Sequence, residues 1–275
     1  MPDRSIAGPR PALVAMENVF HPSRMVAWPD RCRIVAEEGY DGIYAVPYPL
    51  TPDDFERMRQ LDREPARHGL KVAAVYANLD LALDDDSPFA RLLRQLFEEM
   101  EGAPRIELSI KCSDPSKMPE QVEHETIRRL EPLLSIADRR GIDLAIYHHS
   151  FYPIEHPEQA RAIVKKLKHP RLSCLFATSH AFAVAEASAV KQQLMNFLDE
   201  IRSFNLCGCR RLDDFIPSKC QHLPLDQGEL PTIGLLQLVR DRNYRGDLIL
   251  QGGGWMGNPG TFLQSSMQVF DEVFG

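Results

Sequence analysis

The sequence predicts an α/β protein folded as a single closed (β/α)8 barrel, and three observations carry that prediction. Eight short runs rich in Val, Ile, Leu and Ala alternate with longer segments of helical spacing, glycines stop the helices, and no linker interrupts the 275 residues. Runs this apolar are expected where helices cover both faces of a parallel sheet. Eight βα units in this length fit one barrel. A doubly wound open sheet is the alternative, weakened because no Gly-rich dinucleotide loop follows the first run.

The first run, ALVAM (12–16), follows residues 1–11, which read as a loosely held segment, so the barrel domain is assigned to 12–275. Gly39 precedes DGIYAV (41–46) and Gly69 precedes LKVAAVY (70–76), each placed where a helix ends in a left-handed turn. Gly102 and Gly141 do the same before RIELSIK (105–111) and IDLAIY (142–147). LSCLFA (172–177), FNLCGC (204–209) and DLILQ (247–251) complete the set. Helix starts are marked at Thr51-Pro52-Asp53-Asp54, Ser87-Pro88 and Asn258-Pro259 by a capping side chain followed by proline. In the last helix, Phe262, Met267, Val269, Phe270, Val273 and Phe274 read as core packing, and as a candidate contact in a homo-oligomer.

Composition narrows the function. With 44% hydrophobic and 26% charged residues the chain is neither disordered nor fibrous. A net charge of −7 and the lack of a basic run give no reason to expect nucleic acid or an acidic membrane as partner. No stretch is long enough to span a membrane, and the N-terminus lacks the apolar core of a signal peptide. Cys32, Cys112, Cys174, Cys207, Cys209 and Cys220 read as reduced core thiols of a cytoplasmic protein.

AEEGYDGIY (36–44), LSIADRRGIDLAIYHH (134–149), HPRLSCLFATSH (169–180), LPLDQGEL (223–230) and LVRDRNYRGDLILQ (238–251) together resemble the xylose isomerase-like TIM barrels. The resemblance implies a sugar isomerase or epimerase, with a divalent ion held at the barrel mouth by carboxylates and histidine. It also implies Glu-Asn-His after the fifth strand, Asp-Thr-Gly-His after the sixth, His-Leu-Lys-Asp after the seventh and Glu after the eighth. This chain departs from that pattern. Tyr147 stands for the first Glu, His149 keeps the His, and Ala177 stands for the Asp while Thr178 and His180 match. Around Cys209-Arg210-Arg211 the His is missing, Asp213 or Asp214 covers the trailing acid, and Gln251 replaces the last Glu.

Hard divalent ions prefer anionic oxygen, which alanine, a neutral phenol and an amide do not supply. The expectation is therefore no cofactor. A weaker alternative is zinc through His149 and His180, with His148 as a third nitrogen, although neighbours on a strand point to opposite faces. Cys207-x-Cys209 with Cys220-x-His222 superficially resembles a zinc pair, but its first half lies in an apolar strand.

Strand ends on the C-terminal side carry the chemistry of such barrels. The candidates there are Glu17, Lys111, His149 and His180 for catalysis, and Tyr147, His148, Arg210, Gln251 and Trp255 for binding substrate. Glu17 would be a general base with a histidine as its acid counterpart; the plainer reading is a solvated charge. Lys111, if desolvated, would form a Schiff base; the plainer reading pairs its ammonium with water or Asp114. Gly252-Gly253-Gly254 offers backbone N–H groups to a phosphate or is a simple connection, and Trp255 stacks on a sugar or covers the rim. Tyr48 and Asn78 fall at the same level. Three functions stay open: a metal-free relative binding a sugar, polyol or sugar phosphate; a non-catalytic regulatory relative; and a lyase or aldolase-like enzyme using Lys111. The abasic-site endonuclease branch ranks last, since its zinc cluster needs several histidines and acids that are missing here and the charge balance is acidic.

Overall fold

The structure, a computed structural model, describes residues 10–20, 26–212 and 219–275; residues 1–9, Asp213 and Asp214 lie outside these. Strands β1 (Leu13–Met16), β2 (Gly42–Ala45), β3 (Lys71–Asp80), β4 (Arg105–Lys111), β5 (Asp143–Tyr147), β6 (Leu172–Ala177) and β7 (Ile201–Leu206) pair in sequence order, all parallel. β8 (Gly208–Arg211) and β9 (Cys220–Leu223) form a separate antiparallel hairpin, and β10 (Asp247–Leu250) returns to lie between β7 and β1. Val14 is in register with Gly42 on one side and Ile249 on the other, so the barrel closes.

The covering helices are α1 (Trp28–Glu37), α2 (Phe55–Met58), α3 (Arg63–Arg67), α4 (Pro88–Glu99), α5 (Val122–Arg140), α6 (Pro157–Leu167), α7 (Thr178–Val184), α8 (Ala187–Phe197), α9 (Thr232–Asp241) and α10 (Pro259–Phe274). Gly39, Gly69, Gly102 and Gly141 all adopt positive φ, between 70° and 83°, as the sequence anticipates. The three marked helix starts are capped by side chains. Asp54 accepts from Thr51 N at 2.9 Å, Ser87 from Ala90 N at 3.2 Å and Asn258 from Gly260 N at 2.8 Å.

One strand differs from its expected span. FNLCGC was expected to run unbroken over 204–209, but β7 starts at Ile201 and ends at Leu206, and Gly208 onward pairs with β9 instead. The early start is hidden because Ser203, polar yet fully buried, interrupts the apolar pattern. The late break follows from close packing: a Cβ on Gly208 would lie 2.0 Å from Pro224 O and 2.2 Å from Gln227 O. β3 also runs on to Asp80, where its polar end pairs with β4.

Alternation along the strands splits the core in two. Leu13 and Ala15 face the helices, while Val14, Met16, Tyr44, Ala145, Tyr147, Leu175, Ala177 and Ile249 pack inside the barrel. Glu107 is buried there as well. Its Oε1 accepts from Arg105 Nε at 2.9 Å and Ser203 Oγ at 2.6 Å, and Arg105 also donates to Asp247 at 3.0 Å. Burial opposes the guanidinium charge, but Glu107 and Asp247 outweigh it and hold Arg105 protonated. Removing one partner of such a pair strands the other charge. Glu107→Leu should cost about 3–5 kcal/mol of unfolding free energy, measured by urea titration; a loss under about 1 kcal/mol would mean the pair is not a structural anchor.

Candidate active site at the barrel mouth

At the C-terminal end of the strands a cavity of about 330 Å³ opens to solvent. Its floor is a hydrogen-bonded relay inside the barrel. Ser179 Oγ donates to Gln251 Oε1 at 3.1 Å, and Gln251 Nε2 donates to the Tyr147 phenol at 3.0 Å. Burial drives the Tyr147 phenol far above its usual range, so it stays protonated. Both amide atoms of Gln251 are therefore engaged, and Ala177 has no polar side-chain atom to offer.

Three histidines form the next layer, and strand alternation decides which of the adjacent pair is among them. His149 lines the cavity; His148 faces away from it. His148 Nδ1 lies 3.2 Å from Glu155 O, which can only accept, so Nδ1 carries the proton. Its Nε2 is then free to accept from Ala177 N at 3.0 Å. Both ring nitrogens are consumed in tying β6 to the loop after β5, and burial pushes this imidazole down to about 3.

His149 Nδ1 likewise donates to a carbonyl, that of Ser150, at 2.6 Å. Its ring stacks on Tyr152 at 4.1 Å and lies against His180 at 3.8 Å, with Tyr147 edge-on to His180 at 5.6 Å. His180, in the first turn of α7, places Nδ1 3.1 Å from Ser150 Oγ and leaves Nε2 buried without a partner. His222 reaches the cavity from β9. Burial is the largest cause in each case: it lowers His149 and His222 to about 4 and His180 well below its ordinary value.

The other sequence candidates lie apart from the cavity. Glu17 is buried and fully engaged: Arg31 stands at 2.5 Å, Arg57 at 2.9 Å, and Val46 N donates to it at 2.9 Å. It thus joins the end of β1 to α1, α2 and the end of β2. Lys111 sits 3.7 Å from buried Asp80, rather than beside Asp114, and over the rings of Tyr48 and Phe89. Arg210 is exposed on β8, opposite Gln221. Its neighbour Arg211 does the tethering, with Nε donating to Phe182 O at 3.1 Å. Trp255 packs on Phe262 and donates to Asn258 O at 3.3 Å, while Gly252 N is taken by Asn18 Oδ1 at 3.0 Å. Asn78 is buried and accepts from Tyr76 OH at 3.2 Å.

Sequence reasoning brought Tyr147, His149, His180, Gln251 and Tyr48 to one place. It missed Tyr76, Ser150, Phe151, Tyr152, Ser179 and Lys219 as cavity residues, and weighed His222 only beside Cys220. The period-2 alternation that counted against pairing His148 with His149 continues past Tyr147, and only His149 lines the cavity. Among the described residues, no group of three or more His, Cys, Asp or Glu is arranged to hold a metal ion. Cys207 and Cys209, with sulfurs 3.5 Å apart, are buried.

The sequence matches the xylose isomerase-like TIM barrel family over residues 32–268. The chain belongs to that family. Similar solved structures include 3-keto-D-glucoside 4-epimerase from E. coli, at 15% identity, TM-score 0.72, covering 95% of this chain and 100% of that one. D-psicose 3-epimerase with D-tagatose, from Clostridium cellulolyticum H10, matches at 12% identity and TM-score 0.70, covering 95% and 98%. The IOLI protein with a binding zinc atom matches at 14% identity and TM-score 0.72, covering 95% and 97%. At these identities the likeness establishes the fold alone. No curated protein matches significantly.

Two outcomes test this geometry. His148→Ala would leave the Ala177 N–H and the Glu155 carbonyl unpartnered, and should cost about 2 kcal/mol or more in urea unfolding. The histidines also set a pH dependence. Free in the unfolded chain they titrate near 6.5, but His149 and His222 in the fold only near about 4. Between those values the unfolded state binds more protons, so stability rises with pH and is lost as pH falls through that window. Melting temperature should drop across it, and His149→Gln should flatten the slope; a flat wild-type profile would contradict neutral, buried rings.

Proposed function

We propose that this barrel binds a small sugar, polyol or sugar phosphate at its mouth and does so without the divalent ion. One observation carries the reading: a cavity of about 330 Å³ whose described lining holds aromatic rings, neutral imidazoles, hydroxyls, two amides and the ammonium of Lys219, but no carboxylate. Aromatic faces cover the apolar C–H side of a sugar, and the imidazole, amide and hydroxyl groups match its hydroxyls. The epimerases similar in fold, named for 3-keto-D-glucoside and D-psicose, support the ligand class.

The residues at the metal positions do not fit a hard cation. Ala177 has no donor atom, Gln251 already bonds through both amide atoms, and Tyr147 is a protonated phenol. The His149 and His180 rings lie 3.8 Å apart at a tilt of 32°, and the Nδ1 of each is already engaged by Ser150. Where an isomerase- or epimerase-type proton transfer takes place, it falls to neutral His149 or His180, both weak bases in this setting.

The test is a thermal-shift titration of protein purified without chelator, using xylose, glucose, erythritol and glucose 6-phosphate, with and without EDTA. Binding should raise the melting temperature saturably, by the equivalent of about 2.7 kcal/mol at one hundred times Kd, and EDTA should leave the curve unchanged. Stabilisation that requires magnesium, manganese or zinc would sink the metal-free reading; silence across the panel would sink the sugar reading.

A further inference from the structure

We propose that the ligand is a cyclic sugar acid, its ring face covered by Tyr48 and Phe151 and its carboxylate meeting Lys219; this deepens, and rests on, the sugar-binding reading above. Tyr48 and Phe151 line the cavity and yet are 43% and 51% exposed, so each presents an apolar ring to solvent at the rim. Phe151 holds that position at a steric cost, with φ at 71° in the left-handed region that bulky residues avoid. Its own N–H donating to Glu155 Oε1 at 2.9 Å locks the turn. Backbone strain of this kind concentrates at ligand clamps. A rigid ring offers such a clamp a flat C–H face, whereas an open chain would lose rotational freedom on binding.

Charge selects the anion. Among the described lining residues, Lys219 is the one with a formal charge, since the histidines are neutral. Its ammonium lies close enough to His149 and His222 to disfavour their protonation, which places the positive field at the cavity wall. A single ammonium balances a monoanionic carboxylate but only about half the charge of a phosphate monoester, and Gly252 N, a backbone donor that a phosphate would use, is taken by Asn18. His180 Nε2, buried without a partner, marks where a ring hydroxyl completes the wall.

Isothermal titration calorimetry with glucuronate, glucose, gluconate and glucose 6-phosphate decides the matter. Glucuronate should bind at least about tenfold more tightly than the other three, the scale of one charge-assisted hydrogen bond. Lys219→Met should bring glucuronate down to the affinity of glucose and leave glucose unchanged. Phe151→Leu should weaken all three ring compounds and spare open-chain gluconate. If glucose matches glucuronate, if gluconate or the phosphate binds as well or better, or if Lys219→Met changes nothing, the sugar-acid inference falls while sugar binding stands. If none of the four binds, the sugar-acid inference falls, and the sugar-binding reading falls with it once xylose and erythritol also leave the melting temperature unchanged.

Discussion

An imidazole taken out of water with no carboxylate beside it has little reason to hold a proton, and His148, His149, His180 and His222 all stand in that position. Desolvation is the largest cause of the shift for each of them. The chemical character of the mouth follows from this one constraint. Neutral rings can stack at 3.8 Å and 4.1 Å without repulsion. They can also accept hydrogen bonds, as His148 does from Ala177 N, which an imidazolium could not.

Three acids near the strands are used away from the cavity. Glu17 closes a junction with Arg31 and Arg57, Asp80 collects two backbone N–H groups and Lys111, and Glu107 sits deep in the barrel with Arg105 and Ser203. Each of these carboxylates is compensated where it stands. The β8–β9 hairpin, inserted between the seventh barrel strand and α9, brings Lys219 and His222 to the wall of the cavity. The mouth is thus assembled from βα loops and one insertion, while the strands supply its floor.

Much of the fold was legible in the residues themselves. Val, Ile and Leu runs bounded by Gly39, Gly69, Gly102 and Gly141 mark strand and helix ends because glycine alone enters the left-handed turn cheaply. The break at Cys207 and the true start of β7 were not, since Ser203 is buried through its bond to Glu107, ninety-six residues away. The site was legible in part for the same reason. Tyr147, His149, His180 and Gln251 end strands or open helices and could be placed by counting. Phe151, Tyr152 and Lys219 lie on loops, where no period tells which way a side chain points.

By itself the sequence determined the alternation that closes eight strands, and the lack of a carboxylate at positions 147, 177 and 251, since the identity of a side chain at a strand end does not depend on what surrounds it. Only the tertiary structure decided which charges are spent as anchors and which rings are neutral. Ion pairing and desolvation act between residues distant in the chain, so Glu17 became a strut, Lys111 a partner of Asp80, and three histidines distant in the chain one cluster of neutral rings.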